Sequence, residues 1–193
     1  PLHSSAASDV YKRQTLRWGI LGASKFALEH MLPAMQVAKK TKCVALGTSK
    51  YDHAKPFLSI NPEMAVHEDY DLLLQDANVD AIYIPLPNHL HVQWARKAIE
   101  AGKHVLCEKP MTINATETMA LIDLSRKNKT LLMEAFMYKI HPQTEKIMGI
   151  IQERLKSPLE IKAEFCFSVD VPETHRLVNS CLLYTSPSPR DLS

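Results

Sequence analysis

The sequence has few cysteines, little excess charge of either sign and no long apolar run. Its four cysteines among 193 residues lack a CxxC pair and histidines at metal-ligand spacing, which argues against a zinc site and favours a reduced, cytoplasmic protein. The formal net charge of +2 includes no long run of one sign, so no partner surface for nucleic acid or anionic membrane is expected. No apolar stretch approaches the roughly 20 residues of a membrane-spanning helix.

What the sequence does contain is a regular alternation of strand and helix patterns from Leu16 onward. This rhythm predicts an α/β fold, a Rossmann-like doubly wound parallel sheet with right-handed crossovers. Strands are expected near 16–21, 42–48, 80–84, 104–107 and 130–135, and helices near 24–39, 51–58, 68–75, 89–101, 114–128 and 142–156. Pro33 should kink or end the first helix.

The pattern changes after Pro142 and again at both ends of the chain. Leu159 to Val169 alternates strictly between apolar and polar residues, which predicts a half-buried strand of an antiparallel sheet. We therefore expect a dinucleotide-binding domain over 15–141 and the start of a truncated α+β second domain over 142–177. Residues 1–14 and 178–193 lack this patterning and resemble adapter-derived translations, so we expect non-native extensions; alternatively, the tail is a genuine disordered segment.

The first candidate site lies in the turn after the first strand, within GILGASKFA. Gly22 occupies the first glycine position of a dinucleotide-binding fingerprint, with Ser24 and Ala27 in place of the other two. A small residue at Ser24 still allows backbone to approach a pyrophosphate, and the helix amino terminus at Lys25 and Phe26 offers N–H groups. With one glycine of three, an ordinary strand–turn–helix remains the alternative.

The second predicted strand ends in Thr48-Ser49-Lys50. Chains that prefer NAD usually carry an acidic residue here to bind the ribose 2′-hydroxyl. A hydroxyl at Ser49 and a cation at Lys50 suit a 2′-phosphate instead, so the sequence favours NADP, with NAD as the alternative cofactor. The competing interpretation is a solvated lysine in a loop.

The third stretch is DAIYIPLPNHLH, in which an apolar strand stops at Pro85. The turn formed by Pro85, Leu86 and the following residues should place Asn88 beside the cofactor. His91 opens the next helix and is either a packing residue or a cofactor-site residue, whereas His89 is expected to be exposed.

The fourth stretch, AGKHVLCEKP, delivers Glu108, Lys109 and Pro110 to the end of a strand. Because ligands of open parallel sheets bind outside the carboxyl ends of the strands, Lys109 would face a bound substrate and exchange protons with it. The alternative is a surface lysine before a turn-forming proline.

These stretches together, with MEAFMYKIHP at 133–142, resemble the glucose–fructose oxidoreductase/inositol dehydrogenase (Gfo/Idh/MocA) family. The resemblance runs from about Leu16 to Leu177 and is strongest to aldose (D-xylose) 1-dehydrogenases and dimeric dihydrodiol dehydrogenases. It implies hydride transfer between NAD(P) and a sugar, polyol or cyclic diol. Its alternatives are a non-enzymatic NADP-responsive regulator of the same fold and an inactive fragment.

The resemblance also implies roles for single residues. Lys109 matches the catalytic or substrate-positioning lysine, Glu108 an acid that contacts the nicotinamide ribose, and Pro110 a proline often preceded by a cis peptide bond. Tyr138 and Lys139 match a pair near nicotinamide and substrate, Tyr138 as a catalytic candidate, although relatives usually carry arginine at position 139. Relatives place a further Asp-x-x-x-His/Tyr motif beyond this chain and form homo-oligomers, which we expect of the full-length parent as well.

Overall fold

The computed structural model describes residues 15–154. They belong to two compact units that divide after Glu134. The strand expected over Leu159–Val169 and the two terminal extensions lie outside the described residues, and the domain boundary at residue 141 stays a prediction.

The first unit is a six-stranded, entirely parallel sheet in the order β3-β2-β1-β4-β5-β6. Its strands are β1 (Leu16–Leu21), β2 (Thr41–Gly47), β3 (Ala65–His67), β4 (Ala81–Ile84), β5 (His104–Cys107) and β6 (Leu132–Glu134). Its α-helices are α1 (Leu32–Val37), α2 (Lys55–Ile60), α3 (Tyr70–Gln75), α4 (His91–Glu100) and α5 (Ala115–Lys127). The chain order reverses between β1 and β4, so the carboxyl ends of these two strands flank a topological switch point.

Successive strand residues point to opposite faces of the sheet, and helices cover both faces. Leu21 belongs to a cluster built with α3, α4 and α5, whereas Ile20 belongs to a cluster built with α1 and α2. All four residues of β4 are buried, as expected for a central parallel strand. Each large apolar side chain removed from water stabilises the fold by about 1.5–3 kcal/mol. The doubly wound fold predicted from the sequence is confirmed.

The structure differs from the sequence-based expectation at two elements. Strand β3 was missed because Ala65–His67 is only three residues long and contributes to the sheet edge beside β2. Pro33 does not end the first helix, which runs over residues 25–37 with a π-helical stretch, Ala27–Met31, directly before α1. At the end of that stretch the Leu32 amide bonds back to the Ala27 carbonyl. The wider turn accommodates a proline that has no N–H of its own to donate.

A charged cluster holds the amino ends of the central strands together. The Arg17 guanidinium donates to both carboxylate oxygens of Asp80, at 2.9 and 2.7 Å. The Lys103 ammonium donates to the carbonyls of Asp76 and Val79, at 2.8 and 2.7 Å. Bonding to Arg17 lowers the pKa of Asp80, and burial lowers the pKa of Lys103. These contacts fix the starts of β1, β4 and β5, and thereby the positions at which the same strands end.

The second unit, as far as the structure describes it, contains a 3₁₀ turn over Met137–Ile140 and helix α6 (Pro142–Arg154). Within residues 15–154 no helix has the length and apolarity that crossing a membrane requires.

Candidate active site

The chain leaves β1 through a turn that only glycine fits. Gly22 has φ +110°, and a Cβ there would lie 2.6 Å from Cδ2 of Leu86. The Gly22 amide donates to the carbonyl of Gly47 at 2.9 Å. The first turn is thus packed tightly against the loop that follows β4, which brings the ends of two neighbouring strands together.

Ser24 begins the helix that follows this turn. Its hydroxyl accepts a hydrogen bond from the Ala27 amide at 3.0 Å, and its carbonyl accepts one from Leu28 at 3.1 Å. The amides of the first helical residues, Lys25 and Phe26, have no intrahelical acceptor in such a position, and they carry the positive end of the helix dipole. Both side chains are exposed. The sequence-predicted serine therefore shapes the start of this helix through its own backbone and hydroxyl, and helix amino termini are positions at which proteins bind anions.

The end of β2 presents Ser49 and Lys50 to solvent. Buried Thr48 shapes this loop, since its hydroxyl lies 3.3 Å from the Lys50 carbonyl and 3.5 Å from the Lys50 amide. Thr48 holds the backbone of the loop, while the side chains of Ser49 and Lys50, which are predicted to bind phosphate, remain exposed at the carboxyl edge of the sheet.

A cavity of about 310 Å³ opens beside Ser49 and was not anticipated from the sequence. Its lining includes Tyr70 and Trp94, whose ring centroids are 5.0 Å apart in an edge-to-face arrangement. Lys97 lies 4.4 Å above the Trp94 ring and pairs with Asp71 at 2.7 Å. These residues come from α3 and α4, so only the three-dimensional fold places them beside the end of β2. The cavity offers aromatic surface next to a charged pair.

The loop after β4 is fastened from inside by His91. This side chain is completely buried, and its ring nitrogens lie 2.7 Å from the Leu86 carbonyl and 2.8 Å from the Pro110 carbonyl. A ring protonated on both nitrogens donates to both oxygens, whereas a neutral ring donates to one. Asn88 is buried in the same loop, and Pro85 is half-buried. His91 thus joins the loops after β4 and β5, and the structure favours the packing interpretation of this residue.

The end of β5 carries the Glu-Lys-Pro segment. The Glu108 amide donates to the carbonyl of Ile84 at 3.0 Å, which continues the pairing of β5 with β4. Lys109 is exposed. The peptide bond between Lys109 and Pro110 is cis, as the resemblance implied. The next residue, Met111, donates its amide to Glu134 at 2.9 Å, so the segment is held on both sides while the lysine ammonium is free to face a ligand.

The structure brings most of the predicted site residues to one edge of the sheet. The carboxyl ends of β1, β4 and β5 meet there through the Gly22–Leu86 contact and the His91 bonds. Tyr138 and Lys139 belong to the second unit, in which Tyr138 is exposed and makes an edge-to-face contact with Phe136 at 5.9 Å. Their assignment to the site stays a prediction.

The thiols of the described residues have no catalytic character. Cys43 and Cys107 are free and buried. Burial raises the pKa of Cys43 to about 12 and raises that of Cys107 as well, which keeps both in the unreactive thiol form. Among residues 15–154 no group of histidine, cysteine and carboxylate side chains is arranged to hold a metal ion.

Comparison with known proteins identifies the family. Residues 16–136 match the family model GFO_IDH_MocA, described as an oxidoreductase family with an NAD-binding Rossmann fold. The chain belongs to this family. The predictions of a Gfo/Idh/MocA oxidoreductase and of a nicotinamide dinucleotide as cofactor are confirmed at this level.

Individual relatives fall into several substrate groups. D-xylose 1-dehydrogenase (NADP(+)) 2 from Haloferax volcanii is 36% identical over 155 residues, 79% of this chain and 46% of the relative. Trans-1,2-dihydrobenzene-1,2-diol dehydrogenase from Xenopus tropicalis is 28% identical over 77% of this chain and 46% of the relative. A crystal structure of KijD10, a 3-ketoreductase from Actinomadura kijaniata in complex with NADP, superposes with a TM-score of 0.68 at 35% identity, covering 74% of this chain and 45% of that one.

The chain spans less than half the length of each of these relatives. The first two relatives agree with the subgroups that the sequence resembled. The ketoreductase represents a substrate group that the sequence motifs did not suggest.

Proposed function

We propose that this chain is the dinucleotide-binding part of an NADP-dependent oxidoreductase that transfers hydride between the cofactor and a carbon bearing oxygen in a sugar, polyol or cyclic diol. The observation that carries the proposal is the convergence of the Gly22 turn and the Glu108-Lys109 segment on one edge of a parallel sheet, at its switch point. A dinucleotide requires a turn that accommodates its pyrophosphate at that edge, and a hydroxyl-bearing substrate requires a polar side chain such as the exposed lysine beside it.

The residues present fit a dinucleotide. The missing side chain at Gly22, where a Cβ would collide with Leu86, lets the chain turn sharply after β1 and begin a helix at once. A pyrophosphate would bind at the amino terminus of that helix, beside the amides of Lys25 and Phe26. The rings of Tyr70 and Trp94 provide an apolar wall for the adenine end, near Ser49. Pro85, Leu86, Asn88 and Glu108 complete the part of the proposed cofactor site that the first unit carries, with His91 holding its loops in place. Lys139, in the second unit, is proposed for the site from the resemblance alone.

The bound dinucleotide supplies the hydride chemistry. Lys109 holds the reacting oxygen of the substrate through its ammonium protons and shares in moving the hydroxyl proton as that oxygen changes between alcohol and carbonyl. Tyr138 is the second residue proposed to act on the substrate. Because the chain spans less than half the length of its relatives, the proposal commits to a carbohydrate or cyclic diol class rather than to one compound.

The test is hydride transfer by the whole protein on aldoses, a cyclic trans-diol and a dTDP-linked keto sugar. Lys109→Ala should lower turnover about 100-fold or more, the size expected for loss of a general acid–base group, while NADPH affinity stays close to that of the unchanged protein. Lys42→Ala removes an exposed lysine from β2 and is the matched control. Undiminished turnover in Lys109→Ala would remove this residue from the mechanism, and absence of turnover on the whole panel would refute the substrate class.

We also propose a preference for NADP over NAD, carried by Lys50. Lys50→Ala should weaken NADPH binding about tenfold and leave NADH binding unchanged, because the lysine faces only the 2′-phosphate; one lost charge-assisted contact has this magnitude. Fluorescence titration with both reduced cofactors measures the effect, with Lys55→Ala, an exposed lysine five residues on, as the control. Equal loss for NADPH and NADH would contradict the assignment.

The cytoplasmic location and the homo-oligomer stay proposals as well. The buried, free thiols of Cys43 and Cys107 support a reducing compartment.

A further inference from the structure

Tyr83 is a buried tyrosine whose hydroxyl reaches the candidate site from inside the sheet. It lies in the central strand β4, and its side chain is completely buried in the cluster that contains Ile20 and Leu46. Tyr83 pairs with Leu106 of β5, and its hydroxyl lies 2.8 Å from Oε1 of Glu108, two residues farther along. A valine or isoleucine would satisfy the packing of such a strand, so packing alone does not account for the hydroxyl.

The direction of this hydrogen bond is fixed. Burial raises the pKa of Tyr83 far above its ordinary value, and the neighbouring Glu108 carboxylate raises it further. The phenol therefore keeps its proton, and Tyr83 donates while Glu108 accepts. On the other carboxylate oxygen, Oε2 accepts from the Lys109 amide at 3.3 Å. Each oxygen of Glu108 is thus held by one donor, which leaves lone pairs on both for further donors.

We propose that Tyr83 is a positioning residue that orients the Glu108 carboxylate to accept hydrogen bonds from the two hydroxyls of the nicotinamide ribose. This inference rests on the proposed function, in which Glu108 binds that ribose. A vicinal diol presents two O–H donors, and a carboxylate that is already oriented loses little side-chain freedom when it accepts them. Tyr83 acts through Glu108 and makes no contact with the cofactor itself.

A double-mutant cycle on cofactor affinity tests this role. Tyr83→Phe keeps the buried ring and removes only the hydroxyl, and Glu108→Ala removes the carboxylate that accepts from it. We expect each single variant to weaken NADPH binding, Tyr83→Phe about fivefold and Glu108→Ala about tenfold, as for loss of a hydrogen bond to a charged group. The double variant should bind like Glu108→Ala alone, since Tyr83 then has no side chain to orient.

A second ligand separates positioning from general damage to the fold. The compound 2′,5′-ADP carries the adenosine half of NADP and lacks the nicotinamide ribose, so Tyr83→Phe should leave its affinity unchanged. Asp123, an exposed carboxylate on α5, provides the control for the cycle. The effects of Tyr83→Phe and Asp123→Asn on NADPH affinity should be additive.

The outcomes distinguish the two proposals. Additive losses from Tyr83→Phe and Glu108→Ala, or equal losses for NADPH and 2′,5′-ADP in Tyr83→Phe, would overturn the positioning role while leaving the cofactor site intact. An NADPH affinity unchanged by Glu108→Ala would overturn it through Glu108. If the unchanged chain binds none of these nucleotides, both proposals fail.

Discussion

Gly22→Ala is expected to weaken NADPH binding about 100-fold, the scale on which a misplacement of about 1 Å acts at a preorganised site. Alanine would have to hold φ +110° and place its Cβ 2.6 Å from the Leu86 side chain. Both are unfavourable, and the positive φ alone costs on the order of 1–3 kcal/mol for a residue with a side chain. The turn or the loop after β4 must shift, and either shift moves the backbone amides away from the proposed pyrophosphate position. Fluorescence titration with NADPH measures the loss.

Two other glycines serve as controls for this variant. Gly102 has φ +74° but open space around it, so Gly102→Ala has the backbone strain without the collision. Gly149, in helix α6, has neither a positive φ nor a neighbour within 4 Å. Both alanine variants should bind NADPH like the unchanged chain. If Gly102→Ala lost binding to the same extent, the effect at Gly22 would reflect general destabilisation and not the closeness of the turn to the cofactor.

His91→Phe is expected to lower the free energy of unfolding by about 2–4 kcal/mol. Phenylalanine fills a similar volume but has no ring nitrogen, so the carbonyls of Leu86 and Pro110 lose contacts of 2.7 and 2.8 Å, at least one of which is a hydrogen bond donated by the histidine. A buried carbonyl left without a partner costs about 1–3 kcal/mol. Urea denaturation followed by circular dichroism measures the change. NADPH binding should weaken in the same variant, since His91 holds the loops after β4 and β5 in register.

The adjacent histidine provides the control. His89 is exposed in the same loop, and His89→Phe should change stability by no more than about 0.5 kcal/mol. His91→Gln replaces the ring by a side-chain amide, which keeps N–H donors in this position. This variant should recover part of the free energy of unfolding that His91→Phe loses. A His91→Phe protein as stable as the unchanged chain would show that the two carbonyl contacts contribute nothing to the fold.

Local sequence patterns predicted the backbone of the first unit well. A short apolar run such as Ala81–Ile84, which is stopped by a proline, is buried throughout and leaves little ambiguity about its conformation. The three-residue strand β3 is too short to show a period, and it forms only because β2 offers an unpaired edge. Pro33 shows the same limit, since a π-helical turn before it accommodates the proline in a way that residue preference alone does not predict.

The sequence predicted those residues of the candidate site that lie together in one contiguous motif. It did not predict the contacts that form between segments far apart in the chain. Gly22, Ser24 and Lys109 belong to contiguous motifs whose position at the ends of strands follows from the alternation of elements. The wall formed by Tyr70 and Trp94 arises from two helices far apart in the sequence. Tyr83 was taken only as an apolar strand residue, because its bond to Glu108 depends on the register of β4 against β5.

The most direct test of the account is a fluorescence titration of this chain with NADPH and, in parallel, with NADH. If the turn at Gly22, the loop at Lys50 and the Glu108-Lys109 segment form one dinucleotide site, NADPH binds saturably at one site per chain, more tightly than NADH, and 2′,5′-ADP displaces it. Absence of saturable binding, or tighter binding of NADH, would contradict the site as described.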